Sequence, residues 1–106
     1  MEKITTFDKL VRDRIPENLD AKGIKAVTHT VEGQEYFDRL TKKLREEVEE
    51  FIADNNEEEL ADILEVIDAI IAEKGFTRES IEIIKQKKLL EKGGFKNKVI
   101  LEQTEE

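Results

Sequence analysis

Cysteine is absent from this chain of 106 residues, which excludes a disulfide framework, a thiolate nucleophile and a zinc finger. The same absence fits a reducing compartment, so a cytoplasmic protein is expected. Long apolar runs are missing too, and no stretch approaches the roughly 18 apolar residues of a membrane span. Residues 1–10 mix Glu2, Lys3, Asp8 and Lys9 into a short apolar set, and no targeting or transmembrane segment is read there. Positive charge is scarce, with 18 Lys and Arg against 26 Asp and Glu and a formal charge of -8. That balance argues against nonspecific binding to nucleic acid or anionic membrane, both of which need clustered Lys and Arg. An anionic ligand must therefore be held by a local device. Repeats and low-complexity linkers are also absent.

Hydrophobic residues make up 38% and charged residues 42%, a lean composition that still folds because the apolar positions recur at helical spacing. The length favours one domain spanning residues 1–106. A chain this short buries only roughly 60 to 70% of its unfolded surface. A second copy often completes such a domain, and a homodimer or higher homo-oligomer is expected.

Pro16 suits the first turn of a short helix that Gly23 ends. Residues 24–31 (IKAVTHTV) are β-branched and nearly alternating, with a turn signal at Glu32 and Gly33, which predicts a strand. Residues 99–101 (VIL) form a second β-like run after Gly93, Gly94 and Phe95, and pairing the two predicts a small β ribbon beside the helices. Three helices lie between. The first spans about residues 34–53, with Phe37, Leu40, Leu44, Val48 and Phe51 recurring at three and four, and Asp54, Asn55 and Asn56 break it. The second spans about residues 57–74 and is apolar on most sides, which predicts a buried central helix capped by Gly75. The third is capped by Thr77 and ends at Gly93. The fold class is mainly α, an antiparallel helical bundle with a small ribbon.

Residues 46–62 (EEVEEFIADNNEEELAD) hold nine carboxylates. Density alone describes a solvated helix face, so direction decides. At about 100° per residue, with Glu47 at zero, Leu40 lies at about 20°, Phe51 at about 40°, Leu44 at about 60° and Tyr36 at about 340°. Glu47 is thus inside the apolar stripe. Glu50, at about 300°, sits at its edge, and Glu46 and Glu49 fall at about 260° and about 200°, where they can be solvated. The second helix repeats this arrangement. With Glu59 at zero, Ile70 lies at about 20°, Ile63 at about 40°, Val66 at about 340° and Asp62 at about 300°. Antiparallel packing brings Glu47, Glu50, Glu59 and Asp62 around one point. Four ionised carboxylates there must protonate, pair with cations or bind metal. Oxygen-only ligands without His or Cys select Mg²⁺ or Mn²⁺. Glu65, at about 240° on the second helix, is an auxiliary ligand or base. The competing reading pairs the acids with Lys42, Lys43, Arg45 or a lysine of the third helix.

The series E-E-x-x-E at Glu46 to Glu50 followed by E-x-x-D at Glu59 to Asp62 resembles the all-α NTP pyrophosphatase superfamily, the MazG-like and phosphoribosyl-ATP pyrophosphohydrolase-like proteins. Residues 9–16 (KLVRDRIP) and 92–95 (KGGF) resemble a house-cleaning branch of it, so the likeness extends over nearly the whole chain. The resemblance implies Mg²⁺-dependent cleavage of a nucleoside triphosphate to monophosphate and pyrophosphate. It implies Glu47, Glu50, Glu59 and Asp62 as metal ligands, with Glu46 as a second-metal ligand or, beside Glu47, part of the catalytic water activation. Only eight residues, 51–58, separate the two halves, whereas many members have a longer connection.

The residues agree with this chemistry, because phosphoryl transfer needs positioning and charge neutralisation, and no covalent nucleophile constellation is present. Arg12 and Arg14, with Lys85, Lys88 and Lys92 on one stripe of the third long helix, are the candidate phosphate ligands, unless the lysines merely solubilise the surface. His29 is read as a surface or half-buried residue. Tyr36, Phe37 and Phe95 can stack on a base, although Phe37 at helical spacing fits a core. The rivals are phosphoribosyl-ATP pyrophosphohydrolysis in histidine biosynthesis and a noncatalytic helical interaction module whose acidic helices bind a basic partner.

Overall fold

The connection between the two acidic segments is the point on which the architecture turns. In the computed structural model, which describes residues 3–106, helix α2 (Gly33–Asp54) ends where Asn55 adopts a left-handed conformation, φ 54°. Its backbone N–H donates to the Phe51 carbonyl at 2.7 Å. Asparagine tolerates this region because its short polar side chain bonds locally. The side-chain oxygen of Asn56 then accepts from the Glu59 backbone N–H at 3.0 Å, an N-cap for α3 (Glu57–Lys74). Glu57, Glu58 and Glu59 occupy the first turn of α3, where the helix dipole favours carboxylates. Two residues thus reverse the chain, and α2 and α3 pack along one another as an antiparallel hairpin. At its far end the Lys74 ammonium stands 4.0 Å from the centre of the Phe37 ring, a cation–π contact joining the end of α3 to the start of α2.

A shorter helix, α1 (Ile15–Ala21), precedes the hairpin with Pro16 in its first turn. Gly23, at φ 78°, takes the left-handed position that ends it. Helix α4 (Arg78–Lys92) starts on Thr77, whose side chain accepts from the Ser80 backbone N–H at 3.1 Å. The residues through Lys74 form one compact unit and Gly75–Glu106 a second. The described residues contain four helices and no strand, an all-α arrangement.

Two expectations are corrected. The β ribbon does not form among the described residues. Val27, Val99, Ile100 and Leu101 are each at least 77% exposed, and a two-stranded ribbon with no apolar face to pack has nothing to offset its ordering cost. Helix α3 is not a buried central helix: Val66 is buried, but Leu60 and Leu64 are exposed. Within its own unit α2 is the helix that packs on it, so a helix apolar on most sides keeps an open face. Leu40 and Val66 are the buried apolar side chains of the described residues.

Candidate metal centre

Glu47 is the one buried charged residue described, 6% exposed in the company of Leu40 on α2. Its neighbours on the stripe, Tyr36, Leu44 and Phe51, are half-buried, so the helical period carries a carboxylate into an apolar face as expected. Glu59 and Asp62, one turn apart on α3, are half-buried as well. Glu47, Glu59 and Asp62 each bring a carboxylate oxygen within 4.8 Å of the other two, and Glu46, Glu47 and Glu50 do the same along α2. Glu47 belongs to both groups. Glu50 is exposed at the rim, and Glu65 is exposed and belongs to neither group.

Basic side chains partly neutralise these acids. Lys43 Nζ stands 3.2 Å from Glu47 Oε1 and 3.5 Å from Glu46 Oε1. Lys9 Nζ donates to Glu46 Oε1 at 3.0 Å, and Arg12 donates to Asp62 Oδ1 at 2.7 Å. What remains unmatched is specific: Glu47 Oε2 and Glu59 Oε2 are shielded from water and have no hydrogen-bond partner. Burial pushes the Glu47 carboxyl above its ordinary value, with Glu50 adding to the rise and Lys43 opposing it. Partial burial likewise raises Glu59, helped by repulsion from Asp54, Asp62 and Glu47 and opposed by contact with Glu50. Glu46 goes the other way. Its partial burial acts upward, but the hydrogen bond from Lys9 and the charges of Lys43 and Lys9 outweigh it and hold the group ionised below its ordinary value.

The donor set fits a hard divalent cation. It is all carboxylate oxygen, which suits Mg²⁺ or Mn²⁺ and not zinc. Opposite corners of a Mg²⁺ octahedron lie about 4.2 Å apart, so oxygens already within 4.8 Å of one another need only small side-chain adjustments. The two orphaned oxygens lie on α2 and α3, which pack on one another, and their residues share one of the two carboxylate groups.

The candidate phosphate ligands divide. Arg12 reaches the acid cluster, whereas Arg14 turns to Glu17 of α1 at 3.4 Å and is 79% exposed. Lys85, Lys88 and Lys92 are exposed on α4 in the second unit, with Lys85 4.0 Å from Glu82 of its own helix. Both acid groups are made from the first unit alone. His29 is exposed. Phe37 is half-buried under Lys74, and Phe95 is 98% exposed. Lys9, the first residue of the 9–16 segment, joins the site although nothing in its spacing links it to Glu46, 37 residues away.

Comparison of the chain with family models, with curated proteins and with solved structures gives no match. No helix of the described residues is long and apolar enough to cross a membrane.

Proposed function

We propose that the chain is a Mg²⁺-dependent nucleoside triphosphate pyrophosphohydrolase, cleaving an NTP to its monophosphate and pyrophosphate and clearing noncanonical nucleotides from the cytoplasm. The observation that carries the reading is the pair of shielded, unpartnered oxygens of Glu47 and Glu59, with Asp62 beside them. Lys43 meets only the other oxygen of Glu47, so each of the two helices offers a carboxylate oxygen that no side chain of the hairpin takes up. When bound, Mg²⁺, or Mn²⁺ in its place, would neutralise phosphate charge and make a water molecule more acidic.

The chain's own part follows from position. Glu47, Glu59 and Asp62 would hold the cation, with Glu50 joining from the α2 side through Glu47. Glu46, kept ionised by Lys9 and Lys43, is a weak base. That suits it to ligating a second ion better than to taking a proton from water. Arg12 sits beside Asp62 and presents a planar, permanently charged group suited to phosphate oxygens. The open faces of the hairpin, with Ile52, Leu60 and Leu64 exposed, support a homodimer or higher oligomer as the working particle.

The rival reading, a noncatalytic helical module, is favoured by one observation. Lys9, Lys43 and Arg12 already pair with Glu46, Glu47 and Asp62. Those pairs nevertheless leave both shielded oxygens unsatisfied. The deciding experiment measures pyrophosphate release from canonical and damaged nucleoside triphosphates and from phosphoribosyl-ATP, with Mg²⁺, with Mn²⁺ and with EDTA. Metal-dependent release that is lost in Glu47→Gln and Glu59→Gln supports the hydrolase, and the substrate ranking separates house-cleaning from histidine biosynthesis. No release from any compound, with melting unchanged by Mg²⁺, leaves the interaction module.

A further inference from the structure

Residues 8–12 are attached to the hairpin without sharing its main-chain bonding. Among the described residues, none of residues 3–11 takes part in a backbone-to-backbone hydrogen bond, and the first along the chain runs from the Ile15 N–H to the Arg12 carbonyl. Side chains hold the segment instead. Arg39 of α2 donates to the Asp8 carbonyl at 2.7 Å and to its carboxylate at 3.3 Å. Lys9 donates to Glu46 of α2 at 3.0 Å, and Arg12 donates to Asp62 of α3 at 2.7 Å. Leu10, between these anchors, is half-buried. Three fastenings thus tie one extended segment to both helices.

The fastenings differ in what they hold. Glu46 and Asp62 belong to the two carboxylate groups that meet at Glu47, which is 6% exposed and keeps one oxygen unpartnered. Asp8 and Glu35, the acids beside Arg39, belong to neither group. We infer that residues 8–12 are a displaceable strap: Lys9 and Arg12 neutralise the acid cluster of the metal-free chain and let go of Glu46 and Asp62 when a divalent cation binds there, while the Arg39–Asp8 pair stays fastened as the hinge. The strap rests on the metal-centre reading above and adds to it a control of access. Its release is electrostatic. Whichever carboxylate oxygens the ion takes, two positive charges arrive beside a guanidinium and an ammonium that one carboxylate each had balanced, and attraction gives way to repulsion. Solvent-exposed ion pairs are weak one by one, so the strap is poised to open. By linkage, a strap that yields to the cation also weakens its binding.

Calorimetric titration of the full chain with Mn²⁺, together with a spin label on the strap, tests this without reference to turnover. Arg12→Met should bind Mn²⁺ about fivefold more tightly, the lower end of ordinary coupling between sites, because Asp62 is freed. Arg39→Met should tighten Mn²⁺ binding by a similar factor. Arg39 reaches neither carboxylate group, so the effect must pass through the segment that it holds. Lys42→Met removes an exposed charge of α2 that pairs with none of these acids among the described residues. It should leave Mn²⁺ affinity unchanged, which separates the strap from a general loss of positive charge. Because the chain has no cysteine, Val11→Cys, between the two released anchors, takes a single nitroxide. Its resonance spectrum should pass from restrained in EDTA to mobile on the nanosecond scale in saturating Mg²⁺. Failure of the wild-type chain to bind Mn²⁺ removes the metal-centre reading and the strap with it. Normal Mn²⁺ binding with affinity unchanged in Arg12→Met and Arg39→Met, an equal gain in Lys42→Met, or a label equally restrained with Mg²⁺ and with EDTA overturns the strap alone.

Discussion

Lys43 Nζ lies 3.2 Å from one oxygen of Glu47 and leaves the other, shielded from water, with no partner. The ammonium therefore satisfies only half of the carboxylate. Lys43→Met should destabilise the metal-free protein by about 2 kcal/mol, since it strands a buried charged acceptor. Saturating Mg²⁺ should recover most of that loss, because the cation takes over the same carboxylate. Denaturant melts of both proteins with EDTA and with Mg²⁺ check this. An equal deficit in the two conditions would mean that the ammonium and the cation do not compete for one site.

The pH dependence carries a definite sign. Glu47 and Glu59 hold their protons more tightly in the folded chain than in the unfolded one, so the folded state binds more protons above the ordinary value of 4.5. Stability of the metal-free protein falls as pH rises through that window. Glu46, with its lowered value, works oppositely. Its pairing stabilises above the ordinary value and is lost as pH falls below it. Melting in EDTA across about pH 4 to 8 should show the wild-type decline reduced in Glu47→Gln and in Glu59→Gln. The melting increment due to Mg²⁺ should shrink as pH falls, because protons and the cation compete for the same oxygens.

Much of this site is legible in the sequence, because helix geometry is local. A turn of about 100° per residue carries Glu47 into the stripe of Leu40 and Glu59 into that of Val66, and both acids are shielded in the structure. The hairpin is legible for the same reason, with Asn55 and Asn56 as break and cap. The bonds from Lys9 to Glu46 and from Arg12 to Asp62 span 37 and 50 residues, and no periodicity reports contacts at such distances. The absence of the ribbon is not legible, because β-branched content expresses a strand only where a pleated surface has something to pack on. Nor is the open face of α3, since an apolar pattern records that a face wants cover without recording what supplies it.

Arg12 and Arg14 are two residues apart and alike in chemistry, yet only Arg12 reaches the acid cluster. If the pyrophosphohydrolase reading holds, Arg12→Ala should raise KM for the nucleotide about tenfold, as loss of one charged phosphate contact does. Arg14→Ala should leave KM and kcat unchanged. Neither change should cost more than about 1 kcal/mol of stability, since both ion pairs are solvent-exposed. Equal kinetic effects of the two substitutions would remove Arg12 from the site.

Leu40 and Val66 are the buried apolar residues described, while Ile52 on α2 and Leu64 on α3 are 67% and 60% exposed. Full burial of an aliphatic side chain yields about 1.5–3 kcal/mol, and ordering each residue costs about 1–2 kcal/mol in backbone entropy. A hairpin with two buried apolar side chains is poorly provided for by that comparison, and covering Ile52 and Leu64 with a second copy adds the missing burial. Sedimentation should therefore find the chain as a dimer or larger. Leu64→Glu should dissociate it, because a carboxylate in that contact would be desolvated without a partner, and helicity should fall with association as the chain is diluted. The same substitution at exposed Phe95, outside the hairpin, should leave assembly unchanged. A wild-type chain that sediments as a monomer with full helicity would show that the hairpin faces are stable in water, and assembly would then have no part in forming the site.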